Sequence, residues 1–205
     1  MAPGPRERLI SSAIGLVRRH GVAGTGITEL LAASNAARRS VYQHFPGGKH
    51  ELIAESTRVA GKAISAAIAT AATTDDPLDG LASFVRGWKD TLTASDFTAG
   101  CPIVAAALAG TDAPGVPAVA AAAFAEWNDL ISAQLATAGI EPEAARSLAT
   151  MAISSVEGAV VLAICSRSLQ PLDRVHRHLT ELVEHHLPNT APSTTDAKTA
   201  YAPRP

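Results

Sequence analysis

Between Ile27 and Leu52 the chain reads ITELLAASNAARRSVYQHFPGGKHEL. Few folds accommodate that order of signals. A short helix from Ile27 ends near Ser34, and Asn35 supplies the left-handed turn that glycine usually provides. A second short helix, from about Ala37 to Phe45, stops sharply at Pro46-Gly47-Gly48. Helices this short are marginal in isolation, so the neighbouring helices must hold them through apolar contacts. The second one carries Arg38, Arg39, Ser40, Tyr42, Gln43 and His44, a dense set of donors for phosphates and base edges. A helix-turn-helix unit places its second helix in the major groove, which points this segment toward DNA binding rather than catalysis.

The flanking sequence supplies the support. Leu9, Ile10, Ala13, Ile14 and Val17 form one stripe of a helix over Arg6 to His20, with Gly21 positioned to end it. Gly26 falls at the N-cap of the helix from Ile27, and Val41 and Phe45 face the three-helix core. Beyond Lys49 every segment reads as helix. A long one runs to about Thr73, and Asp75-Asp76-Pro77 starts another that carries Leu81, Phe84, Val85 and Trp88 on one face. Cys101-Pro102 opens a short helix. Pro117–Ala138, Pro142–Arg167 and Pro171–Leu187 follow, and Pro188–Pro205 reads as a disordered tail. The expected fold is all-α with about nine helices.

Composition decides between classes. Apolar residues make up 47% and aromatics 4% of the 205 residues, and abundant Ala favours packed helices over sheets. Cys101 and Cys165 lie 64 positions apart, which suits neither a disulfide framework nor a zinc site and fits a reducing cytosol. No segment reads as a signal peptide, and the most apolar run, Met151 to Cys165, is shorter than a bilayer span and contains Glu157. A cytoplasmic protein without membrane contact is expected. The net charge of −2 divides unevenly: residues 1–62 carry 9 Lys+Arg against 4 Asp+Glu, the remainder 8 against 15. A basic head on an acidic body suits a separate nucleic-acid module.

The N-terminal third resembles the TetR family of bacterial transcriptional regulators. The resemblance lies in the apolar first helix, ITELLAAS, the VYQHF ending of the third helix and the Lys that opens the fourth. PGGK at Pro46 to Lys49 and GCPI at Gly100 to Ile103 are similar to the LmrA/YxaF-type branch. The resemblance implies a helix-turn-helix head over residues 1–48, a ligand-binding and dimerisation body over 49–187, and a homodimer on a near-palindromic operator. Arg38, Arg39 and Ser40 fall on the first turn of the third helix, where an Arg can bind guanine O6 and N7 with two hydrogen bonds. Tyr42, His44 and Lys49 match positions that contact phosphates, with Gln43 beside them and Thr25 and Thr28 at the start of the second helix. Three departures stand out: Gly26 and Ala37 lack the usual hydroxyl caps, and Arg39 replaces a small residue over the groove.

The body is expected to hold a small-molecule effector. Phe84, Trp88, Phe97, Phe124, Trp127 and Met151 are nearly all its large polarizable side chains, and helices of small residues around them can leave a cavity. Cys101 joins these candidates. Glu157, a carboxylate on an apolar helix, needs a partner: a polar group of the ligand or a hydrogen bond across the dimer. Ser154, Ser155, Gly158, Val161, Leu162, Leu179, Leu182 and Val183 on the last two helices are the expected dimer surface. His178, Glu181 and His185 share a helical face but read as solvated polar residues rather than metal ligands. With no phosphate loop, nucleophile triad or metal motif, no cofactor and no enzymatic activity are expected. The reading is a repressor released by its effector, with an activator on the same head as the alternative and a sequence-neutral DNA-coating protein as the third.

Overall fold

In the computed structural model, which describes residues 3–72, 76–110 and 113–188, the apolar period becomes helix wherever the sequence carries it. Among the described residues the elements are nine helices and no strand: α1 (Pro5–Gly24), α2 (Ile27–Ser34), α3 (Arg38–His44), α4 (Lys49–Ala71), α5 (Pro77–Ala94), α6 (Pro102–Ala107), α7 (Val116–Thr137), α8 (Pro142–Ser166) and α9 (Gln170–His186). The tail expected from Pro188 lies, from residue 189 onward, outside the described residues.

Starts and stops follow local chemistry. Pro5, Pro77, Pro102, Pro117, Pro142 and Pro171 each sit in a first turn, where the missing N–H costs nothing. Asp76 caps α5 by accepting from Leu78 N at 2.8 Å, and Glu141 caps α8 by accepting from Glu143 N and Ala144 N, each at 3.0 Å. The caps of α2 and α3, Gly26 and Ala37, make no side-chain hydrogen bond, as their side chains dictate. Gly21, at φ 69°, breaks the regular part of α1, and Asn35, at φ 49°, takes the left-handed turn after α2.

One apolar core runs through head and body. Leu9 of α1, Val41 of α3, Leu52 of α4, Ile103 of α6, Trp127 of α7, Val160 of α8 and Leu172 of α9 belong to the same contiguous cluster. A smaller cluster around Leu135, Ile140, Leu148 and Val183 closes the far end. Helix α4 bridges the halves: it packs on α1 in the head and most extensively on α7 in the body. At that crossing a Cβ on Gly61 would lie 3.0 Å from the Ala123 Cβ, and Gly61 O accepts from Trp127 Nε1 at 3.4 Å.

Helix α8 corrects one expectation. The apolar run is part of a 25-residue helix that, by length and composition alone, could cross a membrane. Its inner face, with Ala145, Ala149, Val156, Ala159, Val160 and Ala163, is packed in the body. Its outer face remains exposed, with Met151 at 52%, Val161 at 50% and Leu162 at 59%.

Candidate nucleic-acid interface and interior cavity

The head positions α3 by burying Val41 and Phe45, so the remaining face turns outward. Arg38, Arg39, Tyr42, Gln43 and His44 are exposed, and Ser40 is half-buried. Most other cations of the head are already engaged. Arg6 pairs with Glu55 at 2.6 Å and lies 5.5 Å from the Phe45 ring centroid; Arg58 pairs with the same carboxylate. The hydrogen bond from Arg58, reinforced by Arg6, holds Glu55 below the usual carboxylate range. Arg8 Nε donates to Ser34 O at 3.3 Å, pinning the end of α2. The Arg38 and Arg39 guanidiniums, by contrast, have no hydrogen bond or ion pair among the described residues, so side by side on a solvent-facing first turn they are available to an anion or a base edge.

The turn into α4 is built around Gly48. At φ 69° it occupies a conformation that favours glycine, and a Cβ there would meet Tyr42 Cε1 at 3.3 Å. Gly47 N donates to Glu51 Oε2 at 2.7 Å, which ties the break to the first turn of α4. Lys49 is half-buried, and its Nζ donates to Val22 O at 3.4 Å, so part of its capacity is spent inside the head. Thr28 is exposed at the start of α2. Thr25 requires a correction: its side chain is fully buried and its hydroxyl donates to Gly21 O at 2.7 Å. It locks the end of α1 and has no hydroxyl to offer a phosphate.

The body holds a small cavity of about 80 Å³. Leu81 and Phe84 of α5, Trp127 and Ile131 of α7, Ile153 and Val156 of α8 form much of its apolar wall. Two polar side chains enter it, Gln134 and Glu157, and neither Gln134 Nε2 nor Glu157 Oε2 has a hydrogen-bond partner. Burial raises the Glu157 pKa to about 7, against a lowering hydrogen bond from the Cys101 thiol. A wider groove of about 720 Å³ lies between α4 and α5, and Phe84 lines both spaces. Trp88 lines the groove rather than the cavity.

The other ligand candidates sit elsewhere. Phe124 packs edge-on against Trp127, ring centroids 5.1 Å apart, and so supports the wall from behind. Phe97 lies in a left-handed turn at φ 55° beneath the Arg167 guanidinium. Met151 points outward because it is six residues from Glu157, about a third of a turn away around α8. Cys101 is buried against Glu157; burial first, then that carboxylate, pushes its thiol pKa far up, which suppresses the reactive thiolate. Gln134 carried no sequence signal of its own, since only the convergence of α5, α7 and α8 places it in the cavity.

Two dimer candidates are corrected as well. Leu179 and Val183 are buried within the protomer and line the cavity, so they have little surface left for a partner chain. Leu182 and Ser155 are half-buried, whereas Ser154, Gly158, Val161 and Leu162 share the exposed outer face of α8. Glu157 faces inward, toward Cys101 and the cavity, rather than onto that face.

A further link joins body to head. Arg18 Nε donates to Gly100 O, and Gly100 N donates to Arg18 O, each at 2.9 Å. Gly100 adjoins Cys101, whose thiol bonds Glu157 in the cavity. A continuous set of contacts therefore runs from the cavity wall to α1.

Comparisons with known proteins agree with this geometry. Residues 77–178 match the family described as transcriptional regulator LmrA/YxaF-like, C-terminal domain. An uncharacterised HTH-type transcriptional regulator of Mycobacterium tuberculosis is 41% identical over 192 residues, covering 90% of this chain and 97% of the relative. The HTH-type transcriptional regulator LmrA of Bacillus subtilis is 25% identical over 181 residues, with 87% and 96% covered. The crystal structure of a TetR transcriptional regulator from Chloroflexus aurantiacus superposes with a TM-score of 0.73 at 25% identity, covering 89% of this chain and 96% of that one.

Proposed function

The chain belongs to the LmrA/YxaF-like branch of the TetR family of DNA-binding transcriptional regulators, and from that premise we propose a homodimeric repressor released from its operator by a small molecule. In this reading residues 1–48 form the DNA-binding head and 49–187 the effector-binding and dimerising body of a cytoplasmic protein. The observation that carries it is the pair of unengaged guanidiniums, Arg38 and Arg39, on the short second helix of the helix-turn-helix. Each can read a guanine with two hydrogen bonds, worth about 1–3 kcal/mol of base discrimination. Ser40 and Gln43 flank them, while Thr28, Tyr42, His44 and Lys49 supply phosphate contacts that set register without reading sequence.

Release requires an effector that prefers the DNA-incompetent arrangement. The Glu157–Cys101 and Gly100–Arg18 contacts give a change at the cavity a physical route to α1. Selection from random duplexes would define the operator, and fluorescence anisotropy at fixed salt would measure specific and non-specific affinity. Arg38→Ala and Arg39→Ala are expected to lose specific binding while helicity and dimerisation stay unchanged. Unaltered operator affinity in both variants, or a specific to non-specific ratio near one in the parent protein, would refute the assignment.

A further inference from the structure

Buried polar atoms in folded proteins are nearly always satisfied, because an orphaned donor or acceptor loses its water without compensation. The body cavity has two, Gln134 Nε2 and Glu157 Oε2, in walls otherwise built from aliphatic side chains, Phe84 and Trp127. They ask for opposite things. The amide nitrogen can only donate, and a carboxylate oxygen accepts. A hydroxyl can donate to one and accept from the other, whereas a primary ammonium can only donate, and so serves the carboxylate alone. Above pH 7, where Glu157 is ionised, a second carboxylate on the ligand would face it with like charge. The small volume of the cavity, about 80 Å³, selects against fused-ring frames and long chains alike unless the helices part.

We propose that the cavity binds a small, mainly aliphatic molecule whose polar end, a hydroxyl or primary ammonium, donates a hydrogen bond to Glu157. The hydroxyl form also accepts from Gln134. This rests on the reading of the cavity as the effector site and names the chemistry that fits it. The Cys101 thiol already contacts the same carboxylate, so an arriving donor shares a group that touches the segment bonded to Arg18.

The test uses butan-1-ol, butylammonium and butanoate, probes of one chain length short enough for a cavity of about 80 Å³. Trp127 lines the cavity and the chain has two tryptophans, so the full chain carrying Trp88→Phe reports binding through Trp127 fluorescence. At pH 8, where Glu157 is ionised, butan-1-ol, butylammonium or both are expected to bind at least about tenfold more tightly than butanoate. The relative affinities of the alcohol and the amine identify which donor the site prefers. Glu157→Gln should remove the discrimination against butanoate, and Gln134→Leu should weaken butan-1-ol more than butylammonium. Equal affinity for all three probes, no Trp127 response to any, or the same preference in Glu157→Gln would overturn the proposal. The operator experiment with Arg38→Ala is independent of these readouts, so failure here leaves the DNA-binding assignment standing. Selective probe binding that never releases operator would refute the effector role.

Discussion

Glu157 sets two demands against each other at a single position. A carboxylate loses solvation when α8 folds into the body, and one thiol hydrogen bond does not restore it, so its pKa rises from an ordinary 4.5 to about 7. The sign of the consequence is fixed by linkage. Between those two values the folded chain holds more protons than the unfolded one, so stability falls as pH rises through the window and is lowest above it. The full deficit is roughly 3.5 kcal/mol at most, because each tenfold change in proton affinity is worth about 1.4 kcal/mol. Glu157→Gln, which cannot ionise, is therefore expected to match the parent near pH 4.5 and exceed it at pH 8, as read from urea midpoints at both pH values. Parallel pH profiles for the two proteins would refute the buried-carboxylate account. Ala37 is a second residue whose chemistry is incomplete, since α3 starts there with no side-chain cap. Ala37→Ser is expected to gain up to about 1 kcal/mol of local stability. Slower amide hydrogen exchange across residues 40–44 would reveal it, and unchanged protection would mean that the α3 terminus is already satisfied.

At the scale of elements, the α4–α7 crossing depends on an absent side chain. Gly61 brings the two helices close enough that an added Cβ would meet the Ala123 Cβ at 3.0 Å, whereas a Cβ at Gly15 in α1 would meet nothing within 4 Å. The same substitution should therefore act in opposite directions. Gly15→Ala is expected to stabilise by about 0.5–1 kcal/mol through backbone entropy. Gly61→Ala is expected to cost about 1–3 kcal/mol by overpacking, and the helices must part to accept it. Thermal unfolding of both variants tests this, and stabilisation by Gly61→Ala would show that the crossing is not tight. Elements of this kind were legible in the sequence because their signals are local: Asn35 and Gly48 at turns, prolines in first turns, and apolar spacing along α1 and α5. The faces of the last two helices were less legible. Both sides of α8 are apolar, so periodicity alone did not separate Met151, which faces solvent, from Glu157, which faces the cavity. Leu179 and Val183 gave a dimer-like pattern on α9, yet the folding of α9 back over α5 and α8 turns them inward. Thr25 stands beside the start of α2 in the sequence, but the end of α1 takes its hydroxyl.

For the whole molecule, the proposed homodimer makes the outer face of α8 and the exposed face of α3 depend on each other. One head reads only a few base pairs, and a second head held at fixed spacing makes the next binding step intramolecular, which multiplies affinity by about 10²–10⁴ without any new contact. The surface best suited to hold two heads is the stripe of Met151, Ser154, Gly158, Val161 and Leu162, where small residues permit close approach and large apolar ones lie exposed. A charge at its centre should separate the copies while leaving each fold intact, because these side chains contribute little to the protomer core. Leu162→Asp is expected to sediment as a monomer at micromolar concentration, keep the parent's helicity, and lose at least about 100-fold in operator affinity. Its non-specific affinity should fall far less, since Arg38 and Arg39 remain exposed on each single head. Leu162→Ala, which adds no charge, should weaken the dimer without abolishing it, so the two variants together separate a true contact from a folding defect. A Leu162→Asp protein that remains dimeric would place the interface elsewhere and leave the α8 stripe without a partner.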